Sequence, residues 1–253
     1  MFAPATTTHG RTWAIRLNRA VYWLSRRWLW VVLFTVSIWV GLPWLAPLFM
    51  ALGWETAGKA IYLLYTFQCH QMPQRSFFLF GSKPMLSLSE IQTVWQNTND
   101  PIILRQFIGN AASGWKVAWS DRMVYMYTSI IFWGTLYWPF RKRLPTLPIW
   151  GLGLFLLPMA LDGVTHMISD LVGGIGLGFR ETNPWLATLT NHTFADTFYA
   201  GDALGSFNSW IRLLTGILFG LGVVWFFFPL LQQEFSQTAR QIKTKFNKAN
   251  LTL

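Results

Sequence analysis

WLWVVLFTVSIWVGLPWLAPLFMAL, residues 28–52, is an unbroken stretch of twenty-five residues without a charge. Wound as an α-helix it measures about 37 Å, enough to cross the roughly 30 Å hydrocarbon core of a bilayer with some tilt. A secretory signal core is only about 7–15 residues, so the run reads as an uncleaved membrane span. Pro43 and Pro47 fall near its far end and predict a kink there. The rest of the composition agrees. Of 253 residues 53% are hydrophobic and 12% charged, about half the charge of an ordinary soluble domain. Disordered, coiled-coil and disulfide-scaffold classes are thereby excluded.

The charges sort by position. The net charge is +10, which by itself suits a nucleic-acid binder, but such a binder gathers its basic residues on a soluble face. Here they flank apolar runs. Arg11, Arg16, Arg19, Arg26 and Arg27 precede the first span with no acid among them. Arg141, Lys142 and Arg143 stand between two later runs, and Arg240, Lys243, Lys245 and Lys248 follow the last one against Glu234 alone. This is the positive-inside asymmetry of a polytopic membrane protein. It argues against a nucleic-acid partner and predicts a bilayer partner, with both termini in the cytoplasm and a prokaryotic plasma membrane as the location.

These signals predict an all-α membrane protein with about four transmembrane helices, a short re-entrant or interfacial hairpin and an N-terminal interfacial helix. Residues 1–27 form a cytoplasmic basic amphipathic segment, in which Trp13, Leu17, Ala20, Val21 and Leu24 share one helical face. A single membrane domain covers 28–231, with spans at 28–52, 123–140, 147–168 and 211–231. Residues 232–253 form a cytoplasmic basic tail. The apolar pieces within 60–80 are each too short to span and enclose a polar knot at Gln68–Gln71, which suits a hairpin. Loops 81–122 and 169–210 lie outside, the first holding an amphipathic helix from Ser87 or Ser89 to Gln96. A fifth crossing through 60–80 would put the basic triplet and the tail on the wrong side.

Few residues in this chain invite chemistry. Asp162 and His166 are four apart inside an apolar run and so share a helix face; ionisable groups in a span are costly and usually have a function. Cys69 is the sole cysteine, so no internal disulfide forms. With His70, Asp162 and His166 it would make a four-ligand set for a divalent metal, although no paired ligand spacing supports one; a buried apolar thiol is the plainer reading. Asn208, Arg212, Gly216 and Gly220 recur every four residues as one stripe. Gly216 and Gly220 predict close helix packing, while Arg212 is expected to pair with Asp162 or to meet an anionic group. An ionised Asp162 needs a cation, drawn from Arg75, Arg122, Arg180, Arg212 or a protonated His166, and Arg212 is the expected partner.

Four pieces taken together resemble an uncharacterised prokaryotic polytopic membrane-protein family, a domain of unknown function. They are Cys69-His70-Gln71 with Pro73 and Arg75-Ser76-Phe77-Phe78; Leu157-Pro158 through Asp162-Gly163; Ser206-Phe207-Asn208; and Arg212 through Gly216 with Gly220. The resemblance implies a compact bundle of membrane helices and brings Gln71, Ser76 and Asn208 into the candidate polar site beside Cys69, His70, Arg75, Asp162, His166 and Arg212. Members of that family often carry a second cysteine beside an arginine, where this chain has Trp119-Ser120-Asp121-Arg122, and glutamine where it has His166. Three functions follow as expectations: a small polar or metal-binding site on the non-cytoplasmic side, a non-catalytic subunit or assembly factor with membrane-protein partners or copies of itself, and a small-solute carrier.

Overall fold

The computed structural model describes residues 8–253, with side chains from Gly10 onward. In chain order the helices and strands are α1 (Thr8–Ala51), α2 (Glu55–Tyr65), β1 (Ser76–Leu79), α3 (Leu88–Val94), α4 (Pro101–Leu104), β2 (Gly109–Asn110), β3 (Gly114–Ser120), α5 (Asp121–Phe140), α6 (Ile149–Gly173), α7 (Phe179–Thr182), α8 (Pro184–Leu189), α9 (Asp196–Tyr199) and α10 (Phe207–Lys248). Four long helices, α1, α5, α6 and α10, form the bundle. Among the described residues three of them, α1 from Gly10, α6 and α10, are long and apolar enough to cross a membrane. The remaining one, α5, has 20 residues and begins with Asp121 and Arg122. The fold is that of an all-α membrane protein carrying one small sheet.

Helix α10 is the centre of the bundle and packs against α5, α6 and α1. Its glycines permit the approach. A Cβ at Gly220 would lie 2.0 Å from Ser129 Oγ and 2.9 Å from the Ile130 backbone nitrogen, and one at Gly216 would lie 2.9 Å from Tyr125 Cβ. The Ser129 hydroxyl donates to the Gly216 carbonyl at 2.8 Å. Away from these seams α6 and α1 present large apolar side chains outward, Leu154, Leu161, Phe34 and Ile38 among them, as lipid-facing surfaces do. At Pro229 the missing N–H frees the Trp225 carbonyl, which accepts instead from Leu147 N at 3.4 Å, while Trp225 Nε1 donates to the Pro145 carbonyl at 3.1 Å. The α5–α6 turn is thereby tied to α10.

Several expectations change. Residues 60–80 are not a hairpin of two apolar arms. The first arm is the end of α2, packed on α1, and the second is strand β1 of a three-stranded antiparallel sheet in the order β1-β3-β2. Ser76 pairs with Ser120 and Phe78 with Lys116 across an irregular register. The partner strand lies some forty residues downstream, beyond the reach of local periodicity. Its inward Lys116 also breaks the apolar alternation that marks a strand. Gly114, at φ +80°, turns the β2–β3 hairpin where a Cβ would meet the Leu79 carbonyl at 2.5 Å. Loop 81–122 therefore holds most of a sheet as well as α3, whose start is a capping box between Ser87 and Glu90. The loop 169–210 holds α7, α8 and α9.

The two ends of the chain are also more regular than the sequence suggests. From Thr8 the segment before Trp28 continues into the span as one helix, the first seven residues of the expected amphipathic segment lying outside the described residues, and the tail after Leu231 remains helical to Lys248. Ala239, Ile242 and Phe246 are buried there. Trp28 stacks on Phe235 with ring centroids 5.6 Å apart and donates from Nε1 to Gln232 at 3.2 Å. Two helices of about 65 Å thus run side by side past the edge of the bilayer core. Arg141 and Lys142 of the basic triplet line one cavity with Arg240 at this end, so charge clusters that are separate in sequence meet in space.

Candidate functional site

At the opposite end of the bundle the starts of α5 and α10, the last turns of α6 and the 73–75 turn converge. Ser120 precedes α5, and Asp121 occupies its first turn, where a carboxylate suits the positive end of the helix dipole; its Oδ1 accepts from the Arg122 backbone N–H at 2.7 Å. Ser206 caps α10 by accepting from Ser209 N at 3.2 Å, which fixes the rotation that turns Arg212 inward. On α6, Asp162, His166 and Asp170 follow at intervals of four and share one face.

Arg212 is fully buried. Its Nε donates to Asp121 Oδ2 at 2.7 Å, Nη1 to Asp202 Oδ1 at 2.6 Å and Nη2 to the Asp202 carbonyl at 2.6 Å. Arg75 makes a bidentate bridge to Asp170 at 2.8 and 2.9 Å, the fork-on-fork geometry that guanidinium and carboxylate favour. It also reaches Asp202 at 2.5 Å and Glu181 at 3.1 Å. Asp162 is held by Arg122 and Arg180, each at 2.7 Å. Asn208 ties the loops down by donating to the carbonyls of Arg180 and Gly201 at 2.6 and 2.9 Å. Five carboxylates face four guanidiniums, one acid in excess. Burial opposes ionisation of Asp202, but Arg75 and Arg212 overcome it and hold this carboxyl well below the usual range. Burial and the neighbouring Asp202 push Glu181 up to about 8, against the pull of Arg75. A proton held on Glu181 would bring the lattice as a whole to neutrality.

Beside this lattice lies a cavity of about 560 Å³. Cys69, His70, Gln71, Arg75, His166 and Arg212 line it together with Asp121, Arg122 and Asp170, and Met72, Met123, Met167 and Ile175 form its apolar side. The Cys69 thiol donates to Ser120 Oγ at 3.4 Å, and its sulfur accepts from the backbone N–H groups of Gln71 and Ser120 at 3.3 and 3.4 Å. His70 is exposed at the rim. His166 Nε2 lies 3.3 Å from Arg212 Nη1 and 3.4 Å from Asp202 Oδ1, whereas its buried Nδ1 has no hydrogen-bond partner in the protein. Below the cavity floor the Lys116 ammonium donates to the carbonyls of Gln71 and Arg105 at 2.8 and 3.1 Å. Burial pushes Lys116 down to about 7.

Not every candidate faces this space. Asp162 stands behind the wall, clamped by its two arginines, and Asn208 lies deeper among the loops. The buried Ser76 hydroxyl donates to the Met72 carbonyl at 2.9 Å, and Gln71 Nε2 donates to the Tyr62 carbonyl at 2.8 Å; both shape the turn that carries Cys69. The expected Asp162–Arg212 pair does not form, because Asp121 and Asp202 occupy the Arg212 fork and Arg122 and Arg180 occupy Asp162. Nor do Cys69, His70, Asp162 and His166 assemble as metal ligands. Both Asp162 oxygens accept from guanidinium groups, and among the described residues no group of three or more His, Cys, Asp or Glu side chains is placed to hold a metal ion. The sequence reading missed Asp121, Asp170, Glu181 and Asp202. Their signal was the concentration of acids in the stretches taken as loops.

Apolar spans around a buried polar end define an α-helical integral membrane protein of several crossings. Residues 110–226 match a family described as predicted membrane protein (DUF2085). An uncharacterised protein of the archaeon Methanocaldococcus jannaschii is 28% identical over 208 residues, which cover 79% of this chain and 90% of that one. The resemblance read from the sequence is thus to an uncharacterised membrane-protein family of unknown function. The matched region holds Asp121, Arg122, Asp162, His166 and Arg212 but begins after Cys69 and Arg75. No solved structure matches the chain.

Proposed function

We propose that this integral membrane protein binds a small polar molecule in the cavity at the non-cytoplasmic end of its bundle. Cys69, His70 and His166 contact the ligand, and the arginine–carboxylate lattice holds the walls rigid. The observation that carries this reading is the cavity itself. Four separated segments place a thiol, two imidazoles and partly exposed charged groups around one space of ligand size, with a buried imidazole nitrogen left for a ligand to satisfy. The gathering of basic residues at the other end supports a cytoplasmic location for that end and for both termini.

The sole cysteine makes the test direct. In intact cells a small impermeant thiol reagent is expected to label Cys69, and compounds that raise the thermal stability of the purified protein are expected to protect it. In a Cys69→Ser background a cysteine at Thr98 should label and one at Ser236 should not. Labelling of Ser236→Cys alone would reverse the orientation. A Cys69 that no stabilising compound protects would remove the ligand reading. A second reading, a structural subunit of a larger membrane complex, draws on the pairing of all four lattice arginines within the chain. It predicts a co-purifying membrane protein and unchanged assembly in Cys69→Ser.

A further inference from the structure

A second cavity lies at the basic end, between α1 and α5, and has a volume of about 610 Å³. Arg19, Arg26 and Arg27 line it with the rings of Trp23, Trp30 and Trp138. Its depth follows from the sequence, since Arg27 immediately precedes the uncharged stretch 28–52 and Trp138 comes three residues before Arg141. The cavity therefore sits at the boundary between the hydrocarbon core and water, where tryptophan rings and arginine heads collect.

Leu253 also lines the cavity, and among the described residues no Asp or Glu side chain meets the charge there. The chain has no acidic residue before Glu55, and among the described residues none of the three arginines takes part in an ion pair. Arg19 donates to a neutral acceptor, the Thr252 carbonyl, at 3.2 and 2.7 Å. The Arg27 guanidinium stands 5.2 Å from the Trp23 ring centroid, and that of Arg141 stands 3.4 Å from the Trp138 ring centroid. Guanidinium groups favour the two-oxygen face of a phosphate. Below them on the same face of α1 are Trp30, Phe34 and Ile38, spaced by four and about half exposed or more. A ligand with an anionic phosphate head and an apolar tail matches both parts.

We propose that this cleft is a binding site for one anionic membrane phospholipid, its phosphate among Arg19, Arg26 and Arg27 and an acyl chain along Trp30, Phe34 and Ile38. The site lies at the opposite end from the cavity around Cys69 and stands independently of the function proposed for that cavity.

Native mass spectrometry of the full chain, purified and loaded with phosphatidylglycerol or phosphatidylcholine, tests it. Wild type is expected to retain one phosphatidylglycerol per chain in preference to phosphatidylcholine. A basic side chain near an anionic surface contributes about fivefold, so Arg19→Gln/Arg26→Gln/Arg27→Gln should weaken retention on the order of 100-fold. A charge-matched control at the same end, Lys142→Gln/Arg143→Gln/Arg240→Gln, touches none of the cleft residues and should leave retention within a few-fold. Equal retention of the two lipids, or equal loss in the two triple variants, would overturn the proposal. So would full displacement by inorganic phosphate, which would assign the cleft to a free anion. Should the first triple variant aggregate, Arg26→Gln alone is expected to lose about fivefold, and unchanged retention there would count equally against the site.

Discussion

Arg212→Met puts the lattice to a quantitative test. The change removes the guanidinium that holds Asp121 and one of the two that hold Asp202. Asp202 keeps Arg75. Asp121, whose side chain is fully buried, is left with the Arg122 backbone N–H as its remaining hydrogen bond. Removing one side of a buried ion pair costs about 3–5 kcal/mol, chiefly because the other charge stays buried without a partner. Replacing both partners by apolar groups is often close to neutral, so Asp121→Leu added to Arg212→Met should recover about 1–3 kcal/mol of the loss. Asp162 supplies the control. It shares no side-chain partner with Arg212, so Asp162→Asn and Arg212→Met should add to within about 0.5 kcal/mol. Reversible denaturant unfolding of the purified protein in mixed micelles, with Asp121→Leu alone completing the first cycle, gives these numbers. Strict additivity for Asp121 and Arg212, with coupling between Asp162 and Arg212, would show that the ion pairs have been assigned to the wrong partners.

Three further outcomes follow. Glu181 has a folded value of about 8 against an ordinary 4.5, so the folded state holds the extra proton between those values. Stability should then fall as pH rises from about 5 to 8, a limb that Glu181→Gln flattens in thermal melts across that range. Lys116 is displaced the other way, to about 7 from 10.5, so the unfolded chain binds more protons in that window. Stability should rise from about pH 7 to 10, and Lys116→Met should remove the rise; an unchanged slope would mean that the buried amine stays charged. Gly220→Ala forces α5 and α10 apart at Ser129 and the Ile130 backbone and should cost about 1–3 kcal/mol. Gly41→Ala, where a Cβ meets nothing within 4 Å, should be neutral or slightly stabilising in the same melts.

The long apolar runs were legible because membrane insertion is governed by length and hydropathy, which are local properties of the chain. The α3 capping box was legible for the same reason, since its signal spans four residues. The sheet was not, because β1 meets its partner across some forty residues and the partner hides a lysine among its inward positions. Asp162 showed clearly that it needed a cation, and both of its actual partners were among the five groups weighed for it. Choosing between them required knowing that Arg212, in the second turn of α10, faces Asp121 at the start of α5 and that Asp202 also meets its fork. Such facts depend on how the loops return to the bundle, and the chemistry of any single residue does not encode them. The metal reading failed on the same ground, because the cations that neutralise Asp162 come from the protein itself.

Helix α10 runs unbroken from Ser206 at the lattice to Lys248 at the far end, and the Trp225 carbonyl freed by Pro229 grips the α5–α6 turn on the way. It is therefore a lever as well as a strut. From Arg212 to Lys248 is about 54 Å of helix, so a tilt of about 5° at the lattice moves the far end by about 5 Å and carries the gripped turn with it. One continuous helix thus joins the buried lattice at one end of the bundle to the basic end at the other.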